Sequence, residues 1–508
     1  MKTEKKTLWF VVGSQHLYGE ETLKQVAEHA EKIVAGLNGS PKIRRDVVLK
    51  PVVTTSDQIY RTIIEAGADQ GCIGIITWMH TFSPAKMWIK GLKNLTKPML
   101  HLHTQYNREI PWDRIDMDFM NLNQSAHGGR EFGYINTRLG VSRKVVTGYW
   151  QDENVQQQVA DWISVAEAVD ESRNMKVARF GDNMRDVAVT EGNKVSSQID
   201  FEYEVHGYGI GDLTASIDNV TEDDISAKVD EYNERYVMSD ELKSSGAAYA
   251  SLTEALKIEA GLENFLVAGG FKAFTTTFEN LYGMKQLPGT AVQNLMAKGY
   301  GFGAEGDWKT AALLRTMKVM GEAKGQASDR NGAAPAGTSF MEDYTYHFDG
   351  ENSLVLGAHM LEVCPSIAGG DVRAEVHPLG IGGKEDPVRL VFDVPAGRAL
   401  NATMIDLGSR FRLVVNELEV VEPPAAAGTF GKLPVARALW KPMPNLETSA
   451  NAWIYAGGAH HSVFSQSVTS DQLRTYADIY GVEVVVIDKD TKLTNFRNEL
   501  RWNEAYYR

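Results

Sequence analysis

The chain has 508 residues, 43% of them hydrophobic and 23% charged, which is the composition of a globular protein with several domains. Its net charge of −14 argues against a nucleic-acid partner or an anionic membrane surface. The sequence contains two cysteines, which excludes a disulfide framework and a thiolate zinc site.

The N-terminus carries lysines before an apolar run, but that run covers only residues 8–13 and is too short for a signal peptide. No apolar segment approaches the ~18 residues that cross a bilayer as a helix. We therefore expect a soluble, cytoplasmic protein without a membrane partner.

Short apolar segments alternate with amphipathic ones over the first third of the chain. The predicted strands are 8–12, 47–53, 72–78, 99–102 and 145–147, and the predicted helices are 22–37, 57–66, 84–95 and 155–169. This alternation predicts a parallel, doubly wound sheet, whose ligands bind beyond the carboxyl ends of the strands. Loops rich in polar and aromatic residues are predicted at those ends, at 13–19, 78–86, 103–107 and 121–132. Such a lining suits a hydroxyl-bearing ligand.

A second α/β domain is predicted after residue 174. Its strands are expected at 175–180 and 271–278, and its helices at 222–236, 246–266 and 307–320. The sequence GFGAEG at 301–306 matches a dinucleotide pattern, but it closes this domain, whereas the pattern should open one. Glu305 would also place a carboxylate where a pyrophosphate approaches a helix. We therefore interpret Glu305 as a carboxylate presented by a glycine-rich turn.

A polar, aperiodic segment at 321–337 predicts a flexible surface loop, and the pattern after it changes to alternating β-branched runs. Helical spacing returns only at 448–456 and 470–480. We predict two doubly wound, Rossmann-like α/β domains followed by a mostly antiparallel, β-barrel-like domain. The predicted domains span residues 1–174, 175–327 and 328–508.

Two predicted strands, 339–348 and 353–363, enclose a turn in the third domain. The second is apolar on both faces except at His359 and Glu362, and a strand of this kind is usually buried. Because a buried imidazole or carboxylate needs a partner, Glu342 and His359 are candidates to face a common ion or substrate.

Two adjacent histidines, His460 and His461, follow a Gly-Gly turn in AGGAHHSVFS. On a strand they would point to opposite faces, so we expect at most one of them to reach a given site. A set of glutamates and histidines without cysteine suits a divalent ion such as Mn²⁺ better than structural zinc. Spacing alone does not identify the ligands.

A series of motifs covers nearly the whole chain: FVVGSQHLYGEETL, HTFSPAKMWI, DMDFMNLNQSAHGGREFGYI, RFGDNMRDVAVT, FTTTFENL, KQLPGTAVQ, AEGDWKTAALLR, GTSFMEDYTYHF, HMLEVCPSI, HPLGIGGKEDP, AGGAHHSVFS and RWNEAYY. In sequence and in order they resemble the motifs of the L-arabinose isomerase family. The segment 321–337 departs from the family by being longer and richer in alanine and glycine. The resemblance implies an aldose–ketose isomerase that interconverts L-arabinose and L-ribulose and also converts D-galactose to D-tagatose.

The resemblance further implies one Mn²⁺ per subunit, with Co²⁺ or Mg²⁺ as alternatives. Carried onto this chain, the metal ligands are Glu305, Glu342, His359 and His461, and the two glutamates are also the catalytic residues. The ion would act as template and Lewis acid while a hydrogen moves between C1 and C2. In a cis-enediol route the glutamates are the base and the acid, in an order that the sequence does not assign. A metal-assisted hydride shift would need no such base.

The family also implies substrate contacts, of which the polar members would bind hydroxyl groups and the apolar members would shape the C–H face of the sugar. They are Gln15, Leu17, Phe82, Gln124, His127, Met184, Phe278, Met360 and Ile381. The implied assembly is a homohexamer of two stacked trimers, in which first-domain loops act at a neighbouring subunit's site. Two rival interpretations are a related ketol isomerase such as L-fucose isomerase and a cytoplasmic sugar-binding protein.

Overall fold

The computed structural model describes residues 5–243, 245–322, 337–380, 382–423 and 432–507. The chain divides into two compact units, Met1–Asp170 and Glu171–Arg508. Most of the predicted loop at 321–337 lies outside the described residues, and so does the predicted boundary between residues 327 and 328. The three-domain division therefore stays a prediction. In the described ranges no helix has the length and apolarity needed to cross a membrane.

The first unit is built around a parallel sheet. Its strands are β1 (Thr7–Gly13), β2 (Asp46–Leu49), β3 (Cys72–Met79), β4 (Met99–His103) and β5 (Lys144–Thr147). They pair in parallel in the order β2-β1-β3-β4-β5. Every residue of β3 is buried, as expected for a parallel sheet covered on both faces. The strand order reverses between β1 and β3, which is where doubly wound sheets bind ligands.

Helices cover both faces of this sheet. They are α1 (Gly19–Asn38), α2 (Ser56–Ala68), α3 (Ile89–Leu92), α4 (Met117–Leu122), α5 (Ser125–Leu139) and α6 (Glu153–Asn174). Apolar side chains of α1 and α6 pack with Phe10 of β1 on one face, and those of α2 and α5 pack with Val11 on the other. The predicted Rossmann-like character of this part of the chain is confirmed.

The predicted loop at 121–132 is wrong, because α5 begins at Ser125 and includes Gly128 and Gly129. The two glycines lower the intrinsic helix propensity, which is why the pattern indicated a loop. A Cβ atom on Gly128 would lie 2.7 Å from the Thr81 backbone oxygen. The glycine therefore lets α5 pack closely against the chain that follows β3.

The second unit begins with another parallel sheet. Its first strands are β6 (Lys176–Phe180), β7 (Glu204–Tyr208), β8 (Val237–Met238), β9 (Ala273–Thr276) and β10 (Gly301–Gly303), and its first helices are α7 (Lys194–Phe201), α8 (Ile210–Asp218), α9 (Glu222–Arg235), α10 (Ala247–Gly269), α11 (Gly289–Ala297) and α12 (Trp308–Glu322). All but β8 form the parallel order β10-β9-β6-β7. This confirms the second Rossmann-like sheet.

The rest of the second unit is mostly antiparallel. Its strands are β11 (Thr338–His347), β12 (Leu354–Ala358), β13 (Arg373–Val376), β14 (Val388–Val391), β15 (Gly397–Asp406), β16 (Phe411–Val420), β17 (Arg437–Pro442), β18 (His461–Ser465) and β19 (Glu483–Ile487), and its helices are α13 (Leu446–Ala456), α14 (Ser470–Tyr480) and α15 (Leu493–Tyr506). The strands pair in the order β15-β18-β11-β12-β17-β16, and β16 also pairs with β15, so the sheet closes into a barrel. β19 joins β16 in parallel, and β13 pairs with β14 and β8. The predicted antiparallel, barrel-like region is confirmed.

We expect Gly128→Ala to destabilise the protein and Gly133→Ala, in the same helix, to leave it unchanged or stabilise it. A Cβ at Gly128 meets backbone, so its accommodation costs about 1–3 kcal/mol. A Cβ at Gly133 has nothing within 4 Å, so the gain in helix propensity of up to about 1 kcal/mol is retained. Urea-unfolding midpoints of the two variants measure the difference, and equal midpoints would contradict the close approach of α5.

Candidate metal centre

The side chains of four predicted ligands come together in the second unit. Glu305 follows β10, Glu342 lies in β11, His359 follows β12 and His461 begins β18. Glu342 lies directly opposite His461 in the pairing of β11 with β18, and opposite residues of antiparallel strands share a face. His461 Nε2 lies 3.6 Å from Glu342 Oε1 and 3.8 Å from Glu305 Oε2. His359 Nε2 lies 3.8 Å from the same Glu342 oxygen.

Glu305 lies in a turn between β10 and α12 and has a positive φ of 58°. This left-handed conformation is unfavourable for a residue with a side chain, and it persists only where neighbouring structure holds it. The Met184 N–H donates to the Glu305 oxygen at 3.0 Å, and the Gly306 N–H donates to the Thr276 oxygen at 3.1 Å. A Cβ on Gly306 would lie 2.6 Å from Asn183 Cα, so only glycine fits beside Glu305. The turn therefore presents the Glu305 carboxylate in a fixed direction.

A carboxylate lies beside the Nδ1 atom of each imidazole, which is the ring nitrogen that does not face Glu342. His461 Nδ1 lies 3.2 Å from Asp307 Oδ2, and His359 Nδ1 is hydrogen-bonded to Glu362. An Nδ1–H donated to a carboxylate leaves Nε2 with a free lone pair, which is the usual state of a metal-binding histidine. His461 Nε2 is buried and has no hydrogen-bond partner among the described residues. This orphaned nitrogen beside two carboxylates fits an oxygen- and nitrogen-binding divalent ion such as Mn²⁺.

The predicted strand at 353–363 is too long, since β12 ends at Ala358. Beyond it the chain leaves the barrel, and the Leu361 N–H donates to Glu362 Oε2 at 3.0 Å. His359 and Glu362 thus belong to a short loop, in which the Glu362 carboxylate is hydrogen-bonded to both the His359 imidazole and the Leu361 N–H. The pattern failed here because Met360, Leu361 and Val363 continue the apolar run of β12, and the loop is buried or half-buried throughout.

The expectation that at most one member of the histidine doublet reaches the site is wrong. His460 precedes β18, and its Nε2 lies 3.3 Å from Glu305 Oε2. A bend before the strand sets its direction, so the alternation of side chains along β18 does not apply to it. The hydrogen bond from His460 lowers the pKa of Glu305. The two histidines still differ in burial, because 42% of the His460 side chain is exposed and none of that of His461.

Sequence reasoning missed Asp307. Its carboxylate accepts hydrogen bonds from the Thr310 backbone N–H and hydroxyl, which is the pattern of a helix N-cap. An aspartate just before a predicted helix indicates such a cap and nothing more. Its second partner, His461, lies 154 positions further along the chain, and no local signal reveals that pairing.

Sequence reasoning also missed Phe340. It lies two residues before Glu342 in β11, on the same face of the strand. Its ring centroid is 4.9 Å from that of His359 and 5.1 Å from that of His461, so one aromatic ring packs against both imidazoles. The period of two along the strand would have found this residue once Glu342 was known.

Of the four predicted substrate contacts of the second unit, Met184 and Met360 adjoin the cluster. Met184 donates its N–H to the Glu305 oxygen, and Met360 directly follows the histidine after β12. Phe278 is half-buried and follows β9, the strand paired with β10. Ile381 lies outside the described residues. The sugar-binding role of all four stays a prediction.

The predicted contacts of the first unit lie at the carboxyl ends of β1 and β3. Gln15 Nε2 donates to the Phe82 backbone oxygen at 3.0 Å, and the Phe82 and His127 rings meet edge to face with centroids 4.8 Å apart. Gln124 immediately precedes α5, and Leu17 is 82% exposed. The set therefore occupies the point where the strand order reverses. A separate concavity in this unit, with a volume of about 760 Å³, is lined by other residues.

Three family models match the chain in succession. They describe the N-terminal domain of L-arabinose isomerase over residues 2–174, its central domain over 176–323 and its C-terminal domain over 337–483. A protein of Geobacillus thermodenitrificans named L-arabinose isomerase is 59% identical over 98% of both chains. Proteins of the same name from Anoxybacillus flavithermus and Aeromonas hydrophila are 60% and 58% identical, and these matches cover 97–99% of each chain.

We expect divalent-ion binding at this centre to weaken as the pH falls. Burial alone would lower the pKa of His359, but the Glu362 and Glu342 carboxylates raise it to about 9. An ion must displace that proton from Nε2, so the apparent Mn²⁺ affinity should fall by up to about tenfold per pH unit below pH 9. Calorimetric Mn²⁺ titrations of the metal-free protein between pH 6 and 9 measure this.

The matched control for this prediction is Glu362→Gln. It removes the anion that holds the proton on His359, so the pH dependence should shift to lower pH. An affinity that is constant between pH 7 and 9 in the unaltered protein would contradict the prediction.

Proposed function

The chain belongs to the L-arabinose isomerase family and is an aldose–ketose isomerase, and from this premise we propose that it interconverts L-arabinose and L-ribulose at a Mn²⁺ site. The ligands of that site would be Glu305, Glu342, His359 and His461. The observation that carries the proposal is the position of His461 Nε2 beside the carboxylates of both Glu305 and Glu342, with His359 Nε2 beside Glu342. A further carboxylate lies beside the Nδ1 atom of each imidazole. Co²⁺ or Mg²⁺ are alternative ions for the same oxygen and nitrogen donors.

A divalent ion held by these residues would supply a Lewis acid and a template for the sugar. The reaction moves a hydrogen from C2 to C1, removes a proton from the C2 hydroxyl and adds one to the C1 oxygen. In the enediol route that we propose, one of the carboxylates of Glu305 and Glu342 takes the proton from C2 and delivers it to C1 as the base. The other, as the acid, exchanges protons with the C1 and C2 oxygens. Because the two carboxylates lie beside the same imidazole, His461, we assign the roles of base and acid to the pair and not to either residue alone.

Substrate hydroxyl groups would be bound by Gln15, Gln124 and His127, and the sugar's apolar face would meet the apolar members of the predicted set. They are Leu17, Phe82, Met184, Phe278, Met360 and Ile381.

We further propose that the protein is a cytoplasmic homohexamer in which first-unit loops serve the site of a neighbouring subunit. The same site would convert D-galactose to D-tagatose.

Chelation should abolish ketose formation from L-arabinose, and added Mn²⁺ should restore it, because no protein side chain replaces the Lewis acid. A colorimetric ketose assay on the chelated and the reconstituted protein measures both states. L-Fucose serves as the comparison substrate and should react more slowly. Faster turnover of L-fucose would favour the related ketol isomerase. Binding of L-arabinose without ketose formation at any divalent ion would favour a sugar-binding protein.

Replacement of each proposed ligand should abolish turnover while the fold persists. For Glu305→Ala, Glu342→Ala, His359→Ala and His461→Ala we expect a loss beyond the roughly 100-fold that follows the removal of a ligand's supporting partner. His460→Ala is the matched control, since it removes only an exposed imidazole that hydrogen-bonds Glu305. It should cost less than about tenfold. Initial rates with L-arabinose, beside circular dichroism spectra, measure this, and the reverse order within the doublet would show that His460 is the ligand.

A further inference from the structure

Lys309 is a buried cation in the first turn of α12. Its side chain is 1% exposed, and all three hydrogens of its ammonium group have acceptors. Lys309 Nζ donates to the Thr190 oxygen at 2.8 Å, to the Glu191 oxygen at 2.7 Å and to Asp307 Oδ1 at 3.2 Å. Burying an ammonium group costs several kcal/mol unless such partners are present, so this lysine has a fixed position.

Lys309 is connected to the metal centre through Asp307. The two oxygens of that carboxylate have different partners: Oδ1 accepts a hydrogen bond from Lys309, and Oδ2 lies 3.2 Å from His461 Nδ1. Asp307 is itself 1% exposed, so water does not compete for either oxygen. The orientation of the carboxylate, and with it the tilt of the His461 ring, depends on where Oδ1 is held.

Thr310 holds the same carboxylate from the helix. Its backbone N–H donates to Asp307 Oδ1 at 3.2 Å and its hydroxyl donates to Oδ2 at 2.8 Å. These bonds would remain without Lys309, so the carboxylate would lose part of its restraint and keep the rest. Removal of Lys309 should therefore displace the His461 imidazole only in part, and its effect should be smaller than that of removing a metal ligand.

We propose that Lys309 is a positioning residue for the metal centre: it fixes Asp307, which orients His461 so that Nε2 faces Glu305 and Glu342. The inference rests on the proposed function, because it takes His461 to be a metal ligand. Lys309 itself would touch neither the ion nor the sugar. Lys309 also connects the chain at 190–191 to the turn that presents Glu305.

Helix α12 offers a matched control. Lys318 is a second buried lysine, 8% exposed, and its Nζ donates to the Thr338 oxygen at 2.7 Å and contacts Cys364 Sγ at 3.5 Å. It resembles Lys309 in burial and in bonding to a backbone carbonyl, but within the described part of the chain it bonds to no carboxylate of the centre. A general effect of removing a buried lysine from α12 should appear in both variants.

The test measures Mn²⁺ binding to the metal-stripped, full-length protein by the electron paramagnetic resonance signal of free Mn²⁺. Lys309→Met should weaken binding by about tenfold, the lower end of the effect of supporting residues at metal sites. Lys318→Met should bind Mn²⁺ within about twofold of the unaltered protein, whatever its melting temperature. Lys309→Gln, which keeps one N–H donor, replaces Lys309→Met if the latter lacks a native circular dichroism spectrum.

A double-mutant cycle with Asp307→Asn tests the route of the effect. If Lys309 acts through Asp307, Lys309→Met should add little to the loss of affinity that Asp307→Asn already causes. Additive losses would show that Lys309 acts by another route and would overturn the inference.

The remaining outcomes also test the inference or the proposed function. Unchanged Mn²⁺ affinity in Lys309→Met, or an equal loss in Lys318→Met, would overturn the inference while leaving the proposed function intact. Failure of both Lys309 variants to fold would overturn it as well, because Lys309 would then serve the fold. Absence of Mn²⁺ binding by the unaltered protein would instead overturn the proposed function.

Discussion

Carboxylates and imidazoles of the second unit share one buried region, and their charges must balance there. The carboxylates are Glu305, Asp307, Glu342 and Glu362, and the imidazoles are His359 and His461. A carboxylate removed from water costs several kcal/mol unless a positive partner compensates it. Lys309 compensates Asp307, and Glu362 keeps positive charge on His359. The two glutamates that remain both lie beside His461 Nε2, and a divalent cation bound there would compensate their charge.

This balance requires rigid backbone, because four anionic groups would otherwise move apart. The barrel supplies part of the rigidity through the register of β11 with β18, which sets Glu342 opposite His461. The turn after β10 supplies the rest by holding Glu305 at a positive φ. Strain of this kind is characteristic of functional positions, and here it coincides with a carboxylate that lies beside His461 of the barrel. The α/β part and the barrel of the second unit therefore contribute to the same centre.

The sequence predicted elements well where the periodicity was uninterrupted, as in α14, whose bounds agree with the predicted 470–480. It failed where glycine altered the pattern, as in α5, and where a buried loop imitated a strand, as after β12. For the site, composition alone led to Glu342 and His359, whose residue types conflict with an apolar strand. Grouping them with Glu305 and His461 required the family resemblance, since these residues are far apart in the chain. Asp307 stayed hidden because its local role as a helix cap fully accounts for its residue type.

The histidine doublet shows how the fold distinguishes two residues of the same type. His460 and His461 both approach Glu305, within 3.3 and 3.8 Å. His461 lies within β18, where pairing with β11, the ring of Phe340 and the Asp307 carboxylate restrain its imidazole from three sides. His460 lies before the strand, and 42% of its side chain is exposed. Among the described residues its side chain contacts the two glutamates and the neighbouring imidazole. A metal ligand must keep its geometry while the ion and substrate exchange, so restraint, and not distance to the carboxylate, assigns the ligand role to His461.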